Sequence, residues 1–262
     1  MIIVKDLCKK FGSLAVMKNL NLEVKTGETL VVLGRSGVGK SVLLKHILGL
    51  TRPDSGYVEV DGVNITSLKG ASLYQAIKNM GMLFQGAALF DSLSVEENTG
   101  FYLKQHGNLT EKRPYTKQEI QERVALALKM VGLDGTQKKM PSDLSGGMKK
   151  RAGLARLIAY RPQYLLYDEP TTGLDPVTAM QINELIVQTQ KELKATSIVV
   201  THDIVSALTV ADRLALVEDG RIIHIDEPEP FMQIANPTIE ALRNTVAVDP
   251  RSLRRIKDVR TD

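Results

Sequence analysis

Short apolar runs alternate along this chain with stretches in which apolar residues recur every three or four positions. That alternation is expected of strands feeding crossover helices in a largely parallel sheet. The runs Leu30 to Leu33, Tyr57 to Val60, Met80 to Phe84, Tyr164 to Tyr167 and Ser197 to Thr201 read as strands, which predicts an α/β protein. The opening stretch and the unit Gly56-Tyr57-Val58-Glu59-Val60-Asp61-Gly62 are bounded by turn residues and predict antiparallel strands. A small β-subdomain beside the main sheet follows. Between Ser94 and Arg161 the strand signal fades, and Ile120, Val124, Leu128 and Val131 fall on one face of an amphipathic helix. A helical insertion is expected there, with Gly107 to Thr116 as a loop ahead of that helix. Asp175 before Pro176 supplies an N-cap and a first-turn proline for a helix that buries Ile182, Leu185, Ile186 and Leu193.

Composition narrows the class. The 262 residues suit one large domain or a domain with a lobe, and 43% hydrophobic with 24% charged residues argues against extended disorder. Lys plus Arg is 34 against 30 for Asp plus Glu, and a net charge of only +4 does not call for nucleic acid. A single cysteine, Cys8, cannot form an internal disulfide or a multi-cysteine zinc site, and the four histidines show no metal-ligand spacing. A reducing compartment fits. No basic segment leads into a long apolar stretch at Met1 to Gly12, so neither a secreted precursor nor a membrane span is expected.

The segment Gly34-Arg35-Ser36-Gly37-Val38-Gly39-Lys40-Ser41 follows the apolar run Leu30 to Leu33 and precedes a helical run from Val42. It fits the phosphate-binding loop pattern, in which glycines let backbone N–H groups and a helix N-terminus face a polyanion. Lys40 then reaches the β- and γ-phosphates, and Ser41 ligates Mg²⁺. A second strand, Tyr164 to Tyr167, ends in Asp168-Glu169. In this context Asp168 is expected in the Mg²⁺ shell, and Glu169 is expected to orient or deprotonate the water that attacks the γ-phosphorus.

The third element, Leu144-Ser145-Gly146-Gly147-Met148, opens another helical run. At this point the chain resembles the ATP-binding cassette (ABC) ATPases, whose signature is Leu-Ser-Gly-Gly followed usually by Gln. The resemblance runs from about Ile2 to about Phe231, with motifs in family order. It implies an α/β P-loop fold with a mainly parallel core sheet, an antiparallel β-subdomain and a helical subdomain. Residues 1–235 form the cassette, divided into 1–94 and 162–235 as core plus β-subdomain and 95–161 as helical subdomain, with 236–262 as an extension. The resemblance further implies that Ser145, Gly146 and Gly147 bind ATP held by the phosphate loop of a second copy, in a head-to-tail dimer. Gln85 resembles the glutamine that senses Mg²⁺ and the membrane partner, Asp175 lies in the D-loop, and His202 corresponds to the switch histidine at the γ-phosphate. Phe11 is similar to the aromatic that stacks on adenine, with Val16 beneath the ring or ribose, although Phe11 also suits a core position. His46, His106, His224 and Cys8 have no supporting constellation and read as structural or surface residues.

Within the family, one cassette in 262 residues looks like a transporter subunit, and Lys138 to Asp143 lacks the Glu-Gly pattern that exporter cassettes place there. Met148 stands where Gln is usual. With Leu83 to Val95 and Met148 to Ala155, it resembles cassettes of the Mce/Mla-type phospholipid transport systems. The resemblance then implies a multi-span permease, an Mce-type substrate-binding protein, a small accessory protein, no nucleic acid, and a site on the cytoplasmic face of an inner membrane. Ala87, Ala88, Leu89 and Phe90 suit docking of a permease coupling helix, and equally a buried turn. The alternatives are an importer for another small solute and a soluble ATP-switched module. Arg251, Arg254, Arg255, Lys257 and Arg260 make the end locally basic, either as a solvated tail or as a strap onto a neighbouring subunit.

Overall fold

The structure, a computed structural model, describes residues 1–108, 111 and 113–245. The basic segment from Arg251 to Arg260 lies outside the described residues.

Strands β1 (Ile2–Phe11), β2 (Leu14–Val24), β4 (Ser55–Val60) and β5 (Val63–Asn64) form an antiparallel sheet in the order β2-β1-β4-β5. Asp61 and Gly62 join β4 to β5 with φ of 50° and 81°, the left-handed pair that a tight hairpin requires. The expected β-subdomain is present. The second sheet is built from β3 (Thr29–Leu33), β6 (Met80–Leu83), β7 (Tyr164–Asp168), β8 (Thr196–Thr201), β9 (Arg213–Glu218) and β10 (Arg221–Asp226). Its order is β10-β9-β3-β8-β7-β6, and every neighbouring pair is parallel except β10 with β9.

Every residue of β3, β7 and β8 is buried, because this sheet is covered on both faces. The period of two along a strand divides their side chains between two apolar clusters. Leu30 and Val32 point toward the β-subdomain, with Ile2, Val4, Leu7, Leu44 and Ile47. Val31 and Leu33 point the other way, into a cluster with Leu83, Tyr167 and the helical layer. The nucleotide-loop strand is thus clamped from both sides.

The helices are α1 (Lys40–Ile47), α2 (Gly70–Ile77), α3 (Val95–His106), α4 (Lys117–Met130), α5 (Gly146–Tyr160), α6 (Pro176–Leu193), α7 (Ile204–Val210), α8 (Pro228–Phe231) and α9 (Pro237–Thr245). The insertion is helical as expected. Ser94 and Thr116 open α3 and α4 with capping boxes to Glu97 and Glu119. Val124 and Leu128 are buried on one face of α4 and Val131 just past its end, with Ile120 half-buried against the same cluster. Asp175 caps α6 through Val177 N and Thr178 N, and Ile182 and Ile186 are fully buried. Beyond residue 235 the chain continues as a packed element: α9 buries Ile239 completely, a contribution of about 1.5–3 kcal/mol. Among the described residues no helix is long and apolar enough to cross a membrane.

Candidate active site

β3 delivers the chain at Leu33 to the loop from Gly34, which turns sharply into α1. Gly39 has φ of 99°, and a Cβ there would stand 2.5 Å from Val16 Cγ1, so no side chain is accommodated. A Cβ on Gly34 would stand 2.9 Å from Val217 O. The first turn of α1 carries neither a side-chain cap nor an acidic residue, leaving its N–H groups and positive end open to an anion. Arg35, Ser36 and Gly37 are exposed, and Val38 is half-buried.

Lys40 is buried beneath that loop. Its Nζ donates to Gly34 O at 2.8 Å and Arg35 O at 3.1 Å, and lies 3.3 Å from Glu169 Oε1. Ser41 Oγ donates to Asp168 Oδ1 at 2.7 Å. Glu169 follows β7 in the left-handed region, with φ of 48°, and its N–H donates to Val200 O at 2.9 Å. This turn directs a nearly buried carboxylate back across the end of the sheet. Glu169 Oε2 lies 2.9 Å from His202 Nδ1 and accepts from Thr172 Oγ1 at 3.1 Å and Thr201 Oγ1 at 3.4 Å. Lys40 of the glycine loop and His202 after β8, far apart in sequence, therefore converge on one carboxylate.

These groups open into a cleft of about 410 Å³ lined by Val16, Ser36, Lys40, Gln85, Glu169 and His202, among others. Phe11 does not line it. Its side chain is 50% exposed at the end of β1, with the Lys9 ammonium 5.5 Å from the ring centroid, so it is no core residue.

Ser145, Gly146, Gly147 and Asp175 are brought together elsewhere, in a groove shared with Met148 and Thr178. Ser145 Oγ caps α5 by accepting from Met148 N at 3.3 Å. A Cβ on Gly147 would stand 2.6 Å from Thr178 Cγ2, which fits glycine at this tip of α5. Hydrogen bonds from Thr178 hold the Asp175 carboxyl below its ordinary range.

The turn after β6 resolves the Ala87 to Phe90 segment residue by residue. Ala87 is buried, while Ala88 and Phe90 are exposed. Asn98, which the sequence reading did not single out, anchors this turn from within α3. It accepts from Phe90 N at 2.8 Å and donates to Phe90 O, Leu93 O and Ser94 O. Lys150 also escaped that reading. It is buried on α5 with its ammonium on the carbonyls of Gln85 and Glu169. Lys150's partner Gln85 is 65 positions away, and Asn98's partners, though near in sequence, follow a loop path that no periodicity encodes. His46 is structural as expected, with Nδ1 2.7 Å from Val42 O, and His106 pairs with Tyr74 OH at the surface.

Mg²⁺, which this arrangement implies, fits the donor set. Ser41 and Asp168 present hard oxygen atoms side by side, and among the described residues no cluster of three His, Cys, Asp or Glu competes as a metal cage. Such a sparse protein set suits an ion that keeps phosphate and water in its shell.

A lysine-bearing glycine loop at a strand–helix junction, with a carboxylate pair on a nearby parallel strand, defines the class: a P-loop nucleotide-hydrolysing domain. The ABC transporter family model matches residues 17–172, and the chain belongs to that family. It is an ABC ATP-binding subunit and an ATPase. The probable ribonucleotide transport ATP-binding protein mkl of Mycobacterium leprae is 38% identical over 98% of this chain and 73% of its own length. The intermembrane phospholipid transport system ATP-binding protein MlaF of Haemophilus influenzae is 41% identical over 89% of this chain and 86% of its own. Among solved structures, the dimeric post-hydrolysis state of the cassette MJ0796 bound to ADP and Pi covers 87% of this chain and 99% of that one. It has a TM-score of 0.77 at 31% identity.

Proposed function

We propose that two copies of this chain close on ATP and so energise phospholipid transport between membranes through a multi-span permease. Lys40 and the α1 N-terminus grip the phosphates, and Gly34 to Ser41 wrap them. Ser41 and Asp168 would hold Mg²⁺, with Gln85 on the same cleft, and the ion would neutralise phosphate charge. Glu169 orients a water toward the γ-phosphorus and takes its proton as the new P–O bond forms and the bond to ADP breaks. His202, 2.9 Å from Glu169, keeps that carboxylate aimed and contacts the γ-phosphate. Phe11 and Val16 receive the adenine and ribose.

One observation carries the two-copy reading: Ser145, Gly147 and Asp175 line a groove of their own rather than the Lys40 cleft. A nucleotide gripped by Lys40 meets a serine-glycine tip when a second copy supplies it. Closing the pair uses the binding energy of ATP from both faces, and loss of phosphate removes it, so the pair reopens. The exposed Ala88 and Phe90, on the turn that Asn98 anchors, form the permease contact.

For the cargo, the support is the 41% identity to MlaF together with Met148 in the signature. The same reading places the chain peripherally on the cytoplasmic face of an inner membrane, beside an Mce-type substrate-binding protein and a small accessory protein. Mass spectrometry of the intact assembly tests it: co-purifying phospholipid is expected. A ribonucleotide bound by the permease instead, the cargo named for the mkl relative, would redirect the assignment.

A further inference from the structure

Lys150 is 5% exposed on α5. Burying an ammonium is costly unless its donors are satisfied, and a plain packing role would be met at lower cost by an apolar residue. Burial lowers the lysine's pKa, while the fields of Asp168 and Glu169 act in the opposite sense. Its hydrogen bonds go to backbone: Nζ donates to Gln85 O, and at 3.4 Å to Glu169 O. These carbonyls belong to turns that leave adjacent parallel strands, β6 and β7, at the same end. One turn borders the cleft with Gln85. The other holds Glu169 in its left-handed conformation.

We propose that Lys150 is a positioning residue for hydrolysis, clipping the Gln85 turn and the Glu169 backbone together on the helix whose tip is Ser145. The helix runs from that tip, which in the two-copy reading meets the other copy's nucleotide, to Lys150 at its own copy's Glu169 carbonyl. The coupling part of this inference rests on that reading. Without the clip, Glu169 keeps its carboxylate but loses its bearing on the attacking water. ATP affinity depends on Lys40 and the loop, which Lys150 does not touch.

The test uses the full chain with Lys150→Met, which keeps length and removes donor and charge, and Lys150→Arg, which restores both. Expected is a fall in kcat of about tenfold to a hundredfold for the methionine variant, with ATP affinity within about threefold of wild type, and substantial recovery with arginine. If the methionine variant does not accumulate, Lys150→Leu, also without a donor, carries the same expectation. A kcat within about twofold of wild type overturns the proposal, as does an arginine variant no better than methionine. ATP-driven dimerisation of Glu169→Gln alone tests the two-copy reading separately. A Lys150→Met/Glu169→Gln chain that fails to dimerise where Glu169→Gln succeeds would place the defect in assembly and also overturn the proposal.

Discussion

Ser41 Oγ donates to Asp168 Oδ1 at 2.7 Å across 127 positions of sequence, fastening the first turn of α1 to the end of β7. This bond sets the distance between the phosphate loop and the carboxylate strand. Next to it, Lys40 Nζ stands 3.3 Å from Glu169 Oε1, so each residue of one pair faces its counterpart in the other.

Lys40→Ala removes a buried cation from beneath the loop. A charge-assisted hydrogen bond is worth about 1.5–3 kcal/mol, so ATP affinity should fall at least about tenfold, measured by titration calorimetry with Mg²⁺ present. Unchanged affinity would show that the phosphates are held without it.

Asn98→Ala leaves the carbonyls of Phe90, Leu93 and Ser94 and the N–H of Phe90 without their shared partner in a buried place. The expected cost is about 2–3 kcal/mol in a urea unfolding curve. A loss below about 0.5 kcal/mol would mean that the turn supports itself.

His46 gives a pH dependence. Nδ1 faces Val42 O and Nε2 is buried, so a second proton places a charge where water does not reach it. Burial, the leading cause, lowers its pKa from the ordinary 6.5, against the opposing pull of the Val42 carbonyl. As pH falls, the unfolded chain therefore takes the proton first. The stability present above pH 6.5 is lost as pH falls through the folded value. The urea midpoint should decline on acidification below that pH, and more steeply in wild type than in His46→Leu. Parallel curves would contradict this.

Much of this arrangement is legible in the chain because its signals are local. The glycines of Gly34 to Gly39 sit between a fully buried strand and a helix, and the Ile120, Val124, Leu128, Val131 spacing marks the inner face of α4. Asp175-Pro176 caps α6 as its composition requires. The hairpin of β9 and β10 was not among the expected strands, although Asp219 and Gly220, with φ of 46° and 77°, form its turn. Lys150 and Asn98 were missed for a different reason. Lys150 meets Gln85 across 65 positions, and that pairing exists only once β6, β7 and α5 have packed. A lysine in a charged helical run looks like a solvated one until its burial is known. Asn98 reaches back only to Phe90, but its role depends on a loop path that no periodicity encodes.

The most direct test of the account is Glu169→Gln in the full chain, followed by size-exclusion chromatography with light scattering in ATP and Mg²⁺, alongside an ATPase assay. The account predicts retained ATP binding, turnover reduced by at least about a hundredfold, and a stable dimer that disperses when ATP is withdrawn. Wild-type hydrolysis, or a chain that stays monomeric with ATP bound even when joined to its membrane partner, would contradict it.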